Sequence, residues 1–420
     1  MSRRARLGPL EERPFRLLFL ARTASLFGNA FAPVALAFAI LDDLDGSATQ
    51  LGLVLTATWV PQILFTLLGG IWADRLPRNL VMVTTDLTMF AAQATVAALL
   101  LTGAAELWML AITQAVRGTA MAFFYPAAAG LVPQVVSRPR LQSANALLRM
   151  LQSSSLIAGA AAAGIVVAVA GAGWAIAFDA LMFLVSASFL VRIRLPRAVR
   201  TQAPNLLREL REGWTEFRSR EWLWVIVAAA MVGNMAVQAG YVVLGPVVAD
   251  RELGGPAAWG AIVAGTGVGL VLGGLVSFRI RPTRPLLVAQ LAVLLAFPLL
   301  LALAFALPVP LIVAAAVLQG VGFELFGVLW DTALQQHIPH ERLSRVSAWD
   351  QLGSFVVIPI GLTIAGPLAD RVGTEEAILL SALVYLLAQS LALLSRDVRT
   401  LPRADARPAP AQEGAEIAAS

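Results

Sequence analysis

The stretch "LLGGIWADRLPRN", residues 67–79, decides how this chain is read. It closes an apolar run with Gly69 and Gly70, and then sets Asp74, Arg75 and Arg78 directly behind it. A run of about twenty apolar residues is the length that an α-helix, rising 1.5 Å per residue, needs to cross a hydrocarbon layer. Charge begins where that length ends, so the stretch marks the edge of a lipid bilayer and the first loop beyond it.

The rest of the chain supports this reading. Of 420 residues, 58% are hydrophobic and only 14% are charged, and the mean hydropathy is +0.77. A soluble domain would have to hide more apolar surface than its volume allows. The net charge of +5 does not gather in one patch, which argues against a nucleic-acid partner. Every basic residue is Arg. Cysteine is absent, which removes disulfides, iron–sulfur clusters and Cys-based zinc sites. No cofactor or metal is expected.

Proline, glycine and charge clusters divide the chain into twelve spans: 15–41, 50–73, 80–103, 105–130, 148–171, 173–194, 221–249, 257–279, 285–307, 309–333, 348–369 and 375–395. Arginine sets the expected orientation. With the N-terminus cytoplasmic, nearly all arginines fall in inner segments, and the outer loops hold only Arg251 and Arg371 beside acids such as Asp42, Asp43 and Glu106. Both termini are then cytoplasmic, in a multi-pass protein of the cell membrane. The expected organisation is a six-helix bundle over 1–191, a linker over 192–220, a second six-helix bundle over 221–395 and a disordered tail over 396–420. Within the linker, Leu206, Leu207, Leu210, Trp214 and Phe217 share one helical stripe, and Arg208, Glu209, Arg211, Glu212 and Glu216 take the other face. Such a helix suits the inner membrane surface, or is a solvated linker helix.

The two sets of six spans repeat one another. Gly28-Asn29 matches Gly233-Asn234, Gly69-Gly70 matches Gly273-Gly274, and "RGTAMAFF" (117–124) lies over "QGVGFELF" (319–326). Pro133 matches Pro339, and Gly164 matches Gly366, all near one offset. An ordered series of this kind points to duplication. Duplicated halves related by an axis along the membrane normal leave a cavity between them at mid-depth.

With that frame, the opening stretch resembles the signature of the major facilitator superfamily, G-x-x-x-D-R-x-G-R-[RK]. Gly70, Asp74, Arg75 and Arg78 match it, while Pro77 and Asn79 depart from it. "RGTAMAFFYPA" and "FELFGVLWDTALQQHIP" are similar to the bacterial branch that exports macrolides and siderophores. The resemblance implies an all-α transporter of twelve helices in two pseudo-symmetric bundles, working by alternating access. It also implies that the 70–79 loop is a conformational latch at the cytoplasmic side. In that role Asp74 would sit at the N-terminus of span 11 near Trp349–Gln351, where unpaired N–H groups favour an anion. Arg75 and Arg78 would pair with Asp86, Asp350 or lipid phosphate. The plainer alternative is that these arginines only anchor the loop in the headgroups.

Charges within the spans carry the functional expectation, because an ionisable group there is costly and usually faces a cavity or a partner. Arg117-Gly118 partly matches the family's span 4 motif, often linked to proton coupling, and Glu324 lies near the centre of span 10. Both are proton-coupling candidates, with a packing ion pair as the alternative for Arg117. Asn29, Asn234 and Gln238 are candidates for substrate contact or for interhelical hydrogen bonding. Relatives often carry an acid where Asn29 stands, and an amide cannot titrate. Arg22 either lines the cavity or reaches back to the inner surface. Asp179 reads as a scaffold residue. His337 and His340 flank Pro339 in a loop and read as solvated rather than metal-binding.

These features favour a proton-coupled exporter of a small apolar or amphipathic compound, because the span centres are mostly Ala, Leu, Val and Gly. A metabolite importer or a lysophospholipid flippase on the same fold is the alternative. An enzyme has little support: no nucleophile–base pair is evident, and a nucleotide-binding lysine is impossible. The expected partners are a small molecule, protons and the bilayer, for a monomer.

Overall fold

The computed structural model describes residues 8–194 and 206–403, leaving aside the side chains of 67–75, 206–210, 340, 341 and 344. Among these residues twelve helices are long and apolar enough to cross a membrane. They are span 1 (Arg13–Asp43), span 2 (Ala48–Thr66, whose helix continues to Arg75), span 3 (Arg78–Leu101), span 4 (Leu107–Val135), span 5 (Arg138–Ala170) and span 6 (Ala172–Leu190). The second half holds span 7 (Glu221–Glu252), span 8 (Pro256–Ser277), span 9 (Pro285–Ala304), span 10 (Val309–His337), span 11 (Arg345–Val372) and span 12 (Thr374–Ala392). The described residues contain no strand. This is the expected all-α polytopic architecture.

Turn chemistry repeats between the halves as the sequence does. Span 5 passes into span 6 through Gly171 at φ +90, and span 11 passes into span 12 through Gly373 at φ +102. Both positions need a backbone that glycine alone adopts without cost. They stand at the same offset that relates "RGTAMAFF" to "QGVGFELF".

Packing repeats too. Span 2 lies on span 4 as span 8 lies on span 10, span 3 on span 6 as span 9 on span 12, and span 1 on span 6 as span 7 on span 12. Matched glycines make the first of these pairings possible. A β-carbon on Gly118 would fall 1.9 Å from the Thr58 carbonyl oxygen, and one on Gly320 would fall 2.2 Å from that of Thr266. Without a hydrophobic drive between helices in lipid, such backbone approach supplies the packing.

The halves meet through span 2 against span 11 and span 5 against span 8. The closest contacts lie toward the face away from the chain ends. There Gly366 packs on Thr49, Gly164 packs on Pro256 and Gly260, and Thr49 donates to Asp370 at 3.0 Å. Toward the face that carries residues 8 and 403, Leu64 of span 2 (66%), Met150 of span 5 (67%) and Phe278 just after span 8 (86%) are exposed. The seam is therefore shut at the far face.

Several boundaries differ from the sequence expectation. Span 11 begins with a helix over His340–Phe355, followed after Val356-Val357 by a second over Ile358–Val372, rather than starting at 348. Residues 396–400 form a short helix capped by the Ser395 hydroxyl, with Val398 fully buried, so order continues past the expected start of the tail. Residues 404–420, expected to be disordered, lie outside the described set.

The linker helix forms over Leu206–Arg218 and docks on the start of span 11. Glu216 accepts from Arg220 at 2.7 Å and from Arg342 at 2.5 Å, Glu212 pairs with Arg345, and Trp214 lies 4.8 Å from Trp349. Phe217 is buried, while Leu206, Leu207 and Leu210 have side chains outside the described set. The helix is thus joined by charge to the second half.

Candidate transport site

Five helices of the first half, spans 1, 2, 3, 4 and 6, place a polar network inside an apolar bundle. Arg117, on span 4, is only 7% exposed. Its Nη2 donates to Asn29 Oδ1 of span 1, and its Nη1 donates to Gln114 Oε1 at 3.5 Å. Thr58 also donates to Gln114 Oε1, at 3.2 Å, and Gln114 Nε2 donates to Gln93 Oε1 at 3.4 Å. Gln93 Nε2 in turn donates to Asp179 Oδ2 at 2.7 Å. Asp179 is fully buried, packs beside Gly28, and lies in the field of Arg117. Its Oδ1 has no hydrogen-bond partner. A buried charge is tolerable only when countered, so Arg117 and Asp179 hold one another in place through amides.

A second charged pair lies nearer the chain-end face. Arg22 sits 5.3 Å over the Phe124 ring and within electrostatic reach of Asp86. Asp86 is fully buried, and the groups that act on its carboxylate are Ser186 and Arg22. Arg22 is thus paired inside the first half instead of reaching back to the surface. The arginine that acts on Asp86 is Arg22.

The second half carries no such charge at the equivalent places. Gln319, which aligns with Arg117, accepts from Thr266 at 3.4 Å. Gln290 Nε2 donates to Gln389 Oε1 at 2.6 Å, and Gln389 Nε2 donates to Ala229 O at 3.2 Å. Asn234 Nδ2 donates to Ser354 O at 2.9 Å, unlike its counterpart Asn29. Gln238 Oε1 has no partner.

Arg117 and Glu324 belong to separate clusters. Glu324 rests against Gly273 and Gly274 of span 8, where a β-carbon on Gly273 would lie 2.9 Å from its own Cβ. The charges that act on it are Arg149 of span 5, across the seam, and Asp331 on its own helix. Gln142, Asn145 and Arg149 are all exposed and recur at helical spacing, giving span 5 an exposed polar stripe. Sequence reading missed Arg149 because it began span 5 at 148. The helix runs from Leu141, which puts Arg149 two turns inside. The polar spacing was the available signal. Gln93 and Gln114 were missed as well, although isolated amides within apolar runs are a signal of the same kind.

At the expected latch, Arg78 donates to the Gly130 carbonyl of span 4. Asp350 Oδ2 accepts from Trp330 Nε1 at 3.0 Å, and its Oδ1 accepts from Ser354 at 3.4 Å. The side chains of Gly70, Asp74 and Arg75 lie outside the described set. The site proposed for Asp74 at a helix N-terminus near 349–351 is corrected: these residues are mid-helix, and their N–H groups are already used. Below it, Glu216 lies outside the spans. Hydrogen bonds from Arg220 and then Arg342 hold its carboxyl below the usual range against the effect of burial.

A family model described as Major Facilitator Superfamily matches residues 18–362 and 265–416. The chain is 24% identical over 396 residues to macrolide efflux protein A of Streptococcus pyogenes, covering 92% of this chain and 97% of that one. It is 24% identical over 397 residues to the multidrug efflux pump Tap of Mycolicibacterium fortuitum, covering 92% and 96%. In fold it is similar to the nucleoside transporter NupG, with TM-score 0.70 at 13% identity over 91% of this chain and 98% of that one. It is also similar to a bacterial homologue of the iron transporter ferroportin in an inward-facing state, with TM-score 0.69 at 16% identity over 90% and 99%.

Proposed function

The chain belongs to the major facilitator superfamily, and from that premise we propose that this transporter is a proton-coupled exporter of a small apolar or amphipathic compound. The protein sits in the cell membrane with both termini cytoplasmic and acts as a monomer. On that orientation the far-face seam is the outer gate, closed here, and the cavity faces the cytoplasm.

One observation carries the coupling reading. Glu324 of span 10 and Arg149 of span 5 belong to different halves, and the charge of Arg149 acts on Glu324 across the seam. A carboxyl in that position exchanges its arginine for a proton when the halves part, so proton occupancy and conformation are linked. Arg117, with Asn29, Gln114 and Asp179, forms the rigid charged centre of the first half. Arg22, Asn234 and Gln238 line or support the path of the cargo. The 70–79 segment forms the cytoplasmic gate. Entry of one charge down 100 mV supplies about 2.3 kcal/mol, roughly a fifty-fold cargo gradient. Export is favoured by the efflux proteins among its relatives.

The test is efflux of a dye and antibiotic panel from a host lacking its own pumps, with and without a protonophore. Wild-type efflux is expected to collapse with the protonophore, and Glu324→Gln is expected to abolish the proton-driven part. Efflux by Glu324→Gln equal to wild type removes Glu324 as the coupling acid. Protonophore-insensitive efflux removes proton coupling.

A further inference from the structure

Asp350 was grouped with the gate on sequence grounds, yet it lines a pocket inside the second half. The pocket has a volume of about 240 Å³ and lies among spans 7, 9, 10, 11 and 12. Its walls include Phe323, Phe326, Trp330 and Phe355, and its polar end holds Asp350 and Asn234. We propose that this pocket is the subsite for a protonated or quaternary amine on the cargo, with Asp350 as counter-ion and the rings as its walls. The proposal rests on the transporter reading above and names the cargo's chemistry.

Three features of the pocket carry it. Asp350 is the one ionisable carboxyl among the lining residues, and no base lines the pocket with it. The charged neighbour acting on Asp350 is another acid, Asp331, so the local field favours a cation further. The carboxylate is also aimed: Trp330 and Ser354 each hold one oxygen, and each oxygen keeps lone pairs for a ligand. Because the Trp330 N–H is committed to Asp350, its ring is fixed, with Phe326 stacked at 6.0 Å and 10°. Ring faces around a carboxylate attract an ammonium ion by their quadrupoles as well as by charge. An anion would meet the Asp350 carboxylate there, with no base to offset it. For a sugar, much of the polar lining is already committed within the protein: Asn234 Nδ2 donates to Ser354 O, Tyr385 to Val293 O and Gln389 Nε2 to Ala229 O. The volume suits a substituted ammonium head with one ring, leaving the rest of an amphipathic cargo in the central gap.

The test is equilibrium binding to purified full-length protein in detergent, with benzyltrimethylammonium as the cation and 4-tert-butylbenzyl alcohol as a neutral probe of similar bulk. Saturable, charge-selective binding is expected for wild type. Asp350→Asn should weaken the ammonium by about tenfold or more and leave the alcohol within about twofold. Asp350→Glu should recover part of the loss. Should Asp350→Asn fail to fold, Phe323→Leu and Phe355→Leu decide, since removing a ring face must weaken the ammonium more than the alcohol. Equal binding of the two probes, or ammonium binding unchanged in these variants, overturns the subsite. Wild-type ammonium binding without efflux of any amine would keep the subsite and remove the export reading. Dye efflux without ammonium binding would do the reverse.

Discussion

Gly52 of span 2 lies directly against Leu362 of span 11, so close that a β-carbon on Gly52 would fall 2.0 Å from the Leu362 carbonyl oxygen. The other seam repeats the contact with the halves exchanged: a β-carbon on Gly260 of span 8 would fall 2.7 Å from the Ala160 carbonyl oxygen of span 5. Two copies of one glycine contact shut the far face. A backbone atom cannot swing aside as a side chain can, so these glycines set how closely the halves approach.

Gly52→Ala should therefore prop the seam open. Overpacking of this kind costs about 1–3 kcal/mol, enough to shift a two-state equilibrium roughly 5- to 150-fold. Spin labels at the far ends of spans 2 and 11 should move apart, with transport falling in step. An unchanged distance distribution would show that the contact does not limit closure.

Asn29 supplies the hydrogen-bond acceptor for Arg117 Nη2. Asn29→Ala leaves a buried guanidinium short of a partner, which costs about 1–3 kcal/mol, and the unfolding temperature should drop. Asn29→Asp keeps the acceptor and adds a countercharge, so its unfolding temperature should stay close to that of wild type. Equal melting of Asn29→Ala and wild type would show that Gln114 and Asp179 hold Arg117 unaided.

The Arg149–Glu324 relationship calls for a double-mutant cycle. Arg149→Gln leaves Glu324 with Asp331 as its charged neighbour, so proton-driven efflux should keep a proton-binding group but change its pH profile. Glu324→Gln should flatten the profile. The double variant should match Glu324→Gln, because the arginine acts through the acid. Additive effects on the pH profile would show that the two residues act independently.

Docking of the linker helix should weaken in acid. The folded Glu216 carboxyl gives up its proton more readily than the unfolded one, because Arg220 and Arg342 hold it ionised. Its contribution is therefore complete above the ordinary carboxylate range and is lost as pH falls through the lower folded value. With Arg342 largely exposed the contribution is about 1 kcal/mol or less. Glu216→Gln should give the acid state at neutral pH, read as faster amide exchange over 211–218. Protection that is the same in both proteins at every pH would assign the docking to Trp214 and Phe217.

The sequence by itself determined the class, the twelve spans, the duplication and the family. Each of these is written in composition and period: runs of bilayer length, and matched marks such as Gly164 and Gly366, or Pro133 and Pro339, near one offset. It also placed Arg117 and Glu324 as costly charges that need partners. What the partners are only the tertiary structure decided. Arg117 found Asn29, Gln114 and Asp179, Glu324 found Arg149, and Asp350 turned toward Trp330 within its own half. The reason is physical: span periodicity fixes which residues share a helix face, but not which helix lies opposite. That choice is made by backbone approach at glycines such as Gly52, Gly118 and Gly260, where a contact between residues far apart in the chain sets the register of whole helices.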